Sequence, residues 1–155
     1  MSDDLHALEA WAGALLAKLQ PAQRRAINHK VAIDLRRNQA QRIKAQQGPD
    51  GAAYPARKRR KEFKGKSGRI KRQKAAMFGK LRTAKYFMIS ADANQLNIGF
   101  VGKVAQIALV HQKGLTDKIT KKGANYRYPA RPLLGMNVLD RTLIRESLLK
   151  HIGQV

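Results

Sequence analysis

Apolar residues recur at three- and four-residue intervals through the first twenty positions: Leu5, Leu8, Trp11, Ala12, Leu15, Leu16 and Leu19. That spacing predicts an amphipathic helix. Ser2 supplies its N-cap, and Asp3 and Asp4 suit the positive end of the helix dipole. Pro21 ends the run and can serve as the first residue of a second helix, predicted to reach about Gln47. There the apolar stripe is narrow, with Ile27, Val31, Leu35 and Ile43, and Asn38 and Gln39 interrupt it. Together with Gln41 these amides are expected on a solvated or inter-subunit face. The two helices are expected to form an antiparallel hairpin or to pack on neighbouring chains. Gly48-Pro49-Asp50-Gly51 then stops the helix with strong turn chemistry.

The second half of the chain changes period. Tyr86 to Ser90 reads as a strand, 91–94 as a turn, and Leu96, Ile98 and Phe100 alternate with Asn97 and Gly99. Two strand segments on either side of a turn predict an antiparallel hairpin. After Gly102, helical spacing returns with Val104, Ile107, Ala108 and His111, and Gly114 is a natural stop. Thr116 to Asn125 reads as a polar, basic loop, and Tyr126 to Pro132, with two prolines, as extended chain outside any central strand. Asn137 is placed as the N-cap of a last helix, with Asp140 three residues on and Leu139, Leu143, Ile144, Leu148 and Ile152 as its buried stripe. No internal repeat is present. The fold expected is α+β: an N-terminal helical hairpin, a small antiparallel sheet flanked by helices, a long basic arm and a C-terminal helix. All of it fits one domain, 1–155.

Charge modifies this picture. The 155 residues carry 32 Lys and Arg against 10 Asp and Glu, a formal net charge of +22. From Arg57 to Lys85 there are 14 basic residues opposed only by Glu62, and from Arg57 to Lys74 the only large apolar residues are Phe63 and Ile70. So few apolar groups cannot bury such a stretch, which predicts an extended arm at about 52–76, ordered by partners. Its candidate polyanion-binding residues are Arg57, Lys58, Arg59, Arg60, Lys61, Lys64, Arg69, Lys71 and Arg72. Such an arm can bind nucleic acid through phosphate charge or clamp acidic protein surfaces. Composition alone favours nucleic acid, although the arm lacks interleaved aromatics and no RRM, KH, zinc-finger or homeodomain pattern occurs.

Candidate chemistry adds little. Cysteine is absent, which excludes disulfides, thiolate catalysis and cysteine-ligated zinc. His6, His29, His111 and His151 are dispersed without metal-ligand spacing, and no nucleophile elbow, phosphate loop or dinucleotide fingerprint occurs. No catalytic, cofactor-binding or metal-binding residue is assigned, and an enzyme is not expected. His111 ends an apolar helical stripe and is expected as a core-edge histidine bonded to backbone. No apolar run approaches the roughly 18 residues of a transmembrane helix, and the acidic start Asp3-Asp4 argues against a signal peptide. A soluble, intracellular protein is expected, with no membrane contact.

Several segments together are familiar. Leu35-Arg36-Arg37-Asn38-Gln39-Ala40-Gln41-Arg42-Ile43 runs into Gln46-Gln47-Gly48-Pro49-Asp50-Gly51, with Tyr54-Pro55 close behind. Met77-Phe78-Gly79-Lys80-Leu81, Ala108-Leu109-Val110-His111-Gln112-Lys113-Gly114-Leu115 and Tyr128-Pro129-Ala130-Arg131-Pro132-Leu133-Leu134-Gly135 follow in order. This succession resembles the phage virion morphogenesis family, the tail completion proteins of contractile-tailed temperate phages, over nearly the whole chain. The resemblance implies a structural protein at the head-proximal end of the tail, capping it or joining it to the neck as a six-fold ring, without a cofactor. It implies contacts with itself, with tail tube, sheath or terminator proteins and with neck or connector proteins. The expected location is the virion, and the host cytoplasm during assembly. The alternative is a basic nucleic-acid-binding protein of ribosomal or nucleoid type, and DNA contact stays open. The subunit interface is expected on His111, Gln112, Gly114, Tyr128, Pro129, Arg131, Pro132 and Gly135. The two prolines leave few backbone donors there, and Arg131 with its tyrosines has the composition of an interface anchor.

Overall fold

A computed structural model describes residues 2–57 and 76–154. In chain order these form α1 (Ser2–Leu16), α2 (Pro21–Lys44), β1 (Phe87–Ala91), β2 (Leu96–Phe100), α3 (Lys103–Lys113), β3 (Thr116–Lys118), β4 (Asn125–Arg127) and α4 (Val138–Ile152). The class is α+β as expected. Among the described residues the strands form two separate antiparallel ribbons, β1 with β2 and β3 with β4.

The long helix α2 is the axis of the molecule. Gln20 caps it, with the Gln23 side chain returning to the Gln20 backbone amide, and Pro21 occupies the position where a missing N–H is harmless. Its stripe is buried as the spacing predicts, with Ile27, Val31 and Ile43 fully enclosed. α4 packs along one side of α2 and the β1–β2 ribbon along another. Two clusters result. One, around Ile27, Val31 and Leu148, takes in Ala12, Leu16 and Leu19 from the N-terminal helical region. The other, around Ile43, Tyr54, Met77, Phe78, Leu81, Ala108 and Leu133, lies at the far end of α2.

Ribbon β1–β2 pairs Phe87 with Phe100 and Ile89 with Ile98, and the two phenyl rings stack with centroids 4.9 Å apart. Asp92 accepts the amides of Asn94 and Gln95 and so closes the turn. Gly102, at φ +67, turns the chain into α3, and Gly114, at φ +64, ends it. Asn137 and Asp140 form the expected capping box on α4.

Three expectations need correction. The loop at Thr116–Asn125 contains a short ribbon, pairing Asp117 with Tyr126. Its strands are three residues long and polar, so pairing rests on backbone bonds and leaves no alternation to read. In α4, Leu139 is 73% exposed while Asp140 is fully buried. The inward position is taken by a carboxylate with buried partners rather than by the leucine. Finally, residues 52–57 of the expected arm are held on the body. Ala53 bridges Gln47, and Tyr54 enters the core. Of the candidate arm residues only Arg57 is described; Lys58, Arg59, Arg60, Lys61, Lys64, Arg69, Lys71 and Arg72 lie outside the described residues.

Candidate functional site

The motif-bearing segments, distant in sequence, converge at the C-terminal end of α2. Gln46 follows the helix at φ +61, a conformation uncommon for a residue with a side chain. Its backbone carbonyl accepts from Tyr54 N at 2.8 Å. Its side-chain amide donates to the carbonyls of Ile43 and Met77 and accepts from Met77 N at 2.7 Å. One glutamine thus ties the helix end, the turn at 48–51 and the return of the chain at Met77 together. Phe78, also at positive φ (+64), places its ring edge-on to Tyr54 and to His111, with centroids at 5.6 and 4.9 Å. Burial pushes the Tyr54 hydroxyl up to about 12.

Arg131 is the centre of this knot. Its Nε donates to Pro55 O at 2.7 Å, one terminal nitrogen donates to Ala56 O at 2.9 Å, and the other lies 3.1 Å from His111 Nδ1. Its own amide donates to His111 O. With only 3% of its surface exposed, this guanidinium is spent inside its own chain on neutral acceptors. All of these contacts lie within the one chain. His111 is half-buried between Phe78 and Tyr128, and burial, with the charges of Arg131 and Arg57, pushes it down to about 4. A neutral imidazole is therefore the acceptor for Arg131 at neutral pH. The histidine sits at the core edge as expected, but its ring partner is a side chain.

The remaining expected interface residues gather around the same pair. Gln112 Oε1 accepts from the amides of Leu133 and Leu134 at 2.7 and 3.0 Å, and its Nε2 donates to Leu134 O. The amide side chain acts as a strand partner for Leu133 and Leu134, where Pro132 just before them has no N–H to give to a ladder. A side chain on Gly114 would sit 3.0 Å from Ala130 N, and one on Gly135 would sit 2.5 Å from the Pro49 ring. Tyr128, edge-on to His111 and Tyr126, completes the aromatic row. Pro129 and Pro132 are partly buried beside Arg131. Thus His111, Gln112, Gly114, Tyr128, Pro129, Arg131, Pro132 and Gly135 come together, as a scaffold internal to the subunit.

Behind this knot lies an ion pair the sequence reading missed. Asp140, fully buried, accepts from Asn38 at 2.7 Å and from Arg42 at 2.9 Å. Arg42 also donates to Gln39 Oε1 and to Gly135 O, and Asn137 donates to Pro49 O. Asn38 and Gln39 are therefore not a solvated or inter-subunit face; Gln41 stays exposed. The capping spacing Asn137–Asp140 was legible, but nothing local to either segment shows that Arg42, almost a hundred residues away, is the counter-ion.

A second polar contact joins α2 and α4. Asp34 accepts from the Ser147 hydroxyl at 2.7 Å and meets His151 Nε2 at 3.1 Å. Burial works against its ionisation, but the Ser147 and His151 bonds outweigh this and hold the carboxyl below its usual range. The Ser147 hydroxyl donates to the same Asp34 oxygen that His151 meets. These contacts clamp α2 to α4. Among the described residues no group of three or more His, Cys, Asp or Glu converges for a metal, and no helix is long and apolar enough to cross a membrane.

Comparison with known proteins agrees with the succession of motifs. The phage virion morphogenesis family matches residues 3–153. The chain is 40% identical over 139 residues to tail completion protein S of Escherichia phage P2, covering 89% of this chain and 90% of that protein. No solved structure matches the chain.

Proposed function

The chain belongs to the phage virion morphogenesis family, and on that premise we propose that it is a non-enzymatic structural protein completing a phage tail. In this reading it forms a closed homo-oligomeric ring, six-fold, at the head-proximal end, where it meets tail tube, sheath or terminator proteins and joins the neck. The observation that carries the reading is the end-to-end likeness to a tail completion protein, 40% identical across nine-tenths of both chains. The geometry supports a scaffold: the motif residues fix one subunit shape. The charge of +22 suits acidic neighbours, with Arg57, Arg59, Arg60, Lys61 and the other basic residues to Arg72 as the gripping surface. The place of action is then the virion, after assembly in the host cytoplasm.

The same charge is the observation that favours a second reading, a nucleic-acid-binding protein acting through phosphate contacts. Sedimentation of nuclease-treated protein separates the two. A discrete oligomer free of nucleic acid is the expected result. A monomer that forms large species only on adding DNA would overturn the tail reading. Replacing Arg59, Arg60 and Lys61 by Ala should leave the fold intact and weaken attachment to tails, more so at high salt. Unchanged attachment with lost DNA binding would favour the second reading.

A further inference from the structure

The short ribbon β3–β4 stands off the body: its strands contact each other and hardly any other helix or strand. Its register sets Thr116 opposite Arg127 and Lys118 opposite Asn125, and residues directly opposite in an antiparallel pair share a face. All four are exposed, whereas Asp117 and Tyr126, on the other face, are half-buried. The exposed Ile119 follows these two to that other face by alternation. The outward face thus holds two cations, a hydroxyl and an amide, with no carboxylate and no apolar side chain. Beyond it the chain turns where Gly123 N donates to Thr120 O, and Lys121 and Lys122 are exposed on that turn. Among the described residues, none of Lys118, Lys121, Lys122 and Arg127 is in an ion pair.

The chain has little negative charge with which to cover this face itself. Residues 58–75 hold ten Lys and Arg against Glu62, a like charge that the face repels. A second copy offers little more. Asp4 and Asp140 are paired with Arg141 and Arg42, and Asp34 is held by Ser147 and His151. Asp50, Asp92 and Asp117 accept nearby backbone amides. The partner is therefore another polyanion, and the side chains indicate which class. Protein interfaces are centred on aromatic and apolar groups and are depleted in lysine. Contacts to a nucleic-acid backbone come from Lys, Arg, Thr and Asn, the composition found here. A two-stranded ribbon is also slim enough to enter the major groove of a duplex.

We propose that the outward face and turn of β3–β4 are a contact surface for the sugar-phosphate backbone of duplex DNA. Lys118, Lys121, Lys122 and Arg127 meet phosphates, and Thr116 and Asn125 add hydrogen bonds between them. Lys118 and Arg127 are diagonal neighbours, about 7–8 Å apart on such a face, so each reaches its own phosphate. The contact is made through charge and is independent of base sequence. It neither needs nor excludes a ring.

Fluorescence anisotropy with a short random-sequence duplex, at salt from about 50 to 200 mM, tests this. The variant K118Q/K121Q/K122Q/R127Q is compared with K18Q/K30Q/K44Q/K150Q, which removes the same charge from exposed sites elsewhere. Every substituted side chain is exposed, so both variants should melt with the parent. Each phosphate contact adds about 0.9 to the slope of log K against log salt, so the ribbon variant should lose about 3–4 and the matched variant less than about 1. Equal losses would mean diffuse charge and would overturn the proposal, as would a parent that binds no duplex at low salt. The chain has no cysteine, so an engineered thiol carries a single probe. An iron–EDTA chelate on A124C, at the end of the ribbon, should cleave the bound duplex more strongly than one on A26C, on the exposed side of α2. The reverse order, or no cleavage from A124C, would overturn the proposal. A ribbon variant that binds duplex like the parent but no longer attaches to tails would assign the face to an acidic protein and overturn it as well.

Discussion

Replacing Arg131 by Ala should unfold the subunit before it disturbs any assembly. The guanidinium makes three directed contacts, to Pro55 O, Ala56 O and His111 Nδ1, from a site with 3% exposure. A hydrogen bond to a charged group contributes about 1.5–3 kcal/mol. Pro55 and Ala56 are themselves exposed, so water can take over their carbonyls once the side chain is gone. Discounting those two bonds, and counting the cavity left behind His111, the loss should be about 3 kcal/mol. For a chain of this size a urea dependence of about 2 kcal/mol per molar turns that into a midpoint lower by about 1.5 M. The assay is urea unfolding at fixed protein concentration, followed by helical circular dichroism and by Trp11, the single tryptophan. Arg131→Lys keeps the charge but loses the fork and should fall between the two. A variant that melts within about 0.5 kcal/mol of the parent while its oligomer dissociates would refute this reasoning. Arg131 would then act at an interface after all.

Three further outcomes follow from the same geometry. His111 is held near pH 4 in the folded chain against 6.5 in the open, so the unfolded state takes up its proton first. Its contribution is full above pH 6.5 and is lost as the pH falls toward 4, a window that precedes loss of the Asp34 clamp below 3.8. Thermal melts between pH 7 and 4 should show this fall, and His111→Gln should flatten it; an equal fall in the variant would assign it to other groups. Gly114→Ala forces a side chain into left-handed backbone 3.0 Å from Ala130 N and should lower stability by about 2 kcal/mol in the same urea assay. Leu139→Ser, at an exposed site, should stay within about 0.5 kcal/mol of the parent, whereas Leu148→Ala, in the core, should lose about 2–5 kcal/mol.

The parts of the fold legible in the sequence are those whose cause is local. Ile27, Val31 and Leu35 announce the buried side of α2 through spacing, and Asn137 with Asp140 announces the start of α4 through capping. The β1–β2 hairpin follows from two strand segments around a turn, while its register, Phe87 opposite Phe100, came from the structure. What could not be read are contacts whose partners are far apart. Arg42 and Asp140 look like a surface cation and a capping carboxylate until α4 is laid on α2, and then they form one buried pair. Gln46 and Gln112 look like surface amides because their work, standing in for a missing strand, depends on where Met77 and Leu133 arrive. Arg131 among tyrosines and prolines was expected as an interface anchor, and its bonds to Pro55 and Ala56, far away in the chain, could not be read from local composition. Composition distinguishes burial from exposure; it does not say whose chain does the burying.

The central claim is that this chain finishes a phage tail as a ring, and electron microscopy of tails assembled without it tests that most directly. Tails from a phage lacking the protein, mixed with purified chain and imaged in negative stain, should acquire a ring of density at the head-proximal end alone. Those tails should then join heads. Tails that stay bare and unjoined, with the added protein found only on DNA, would contradict the account.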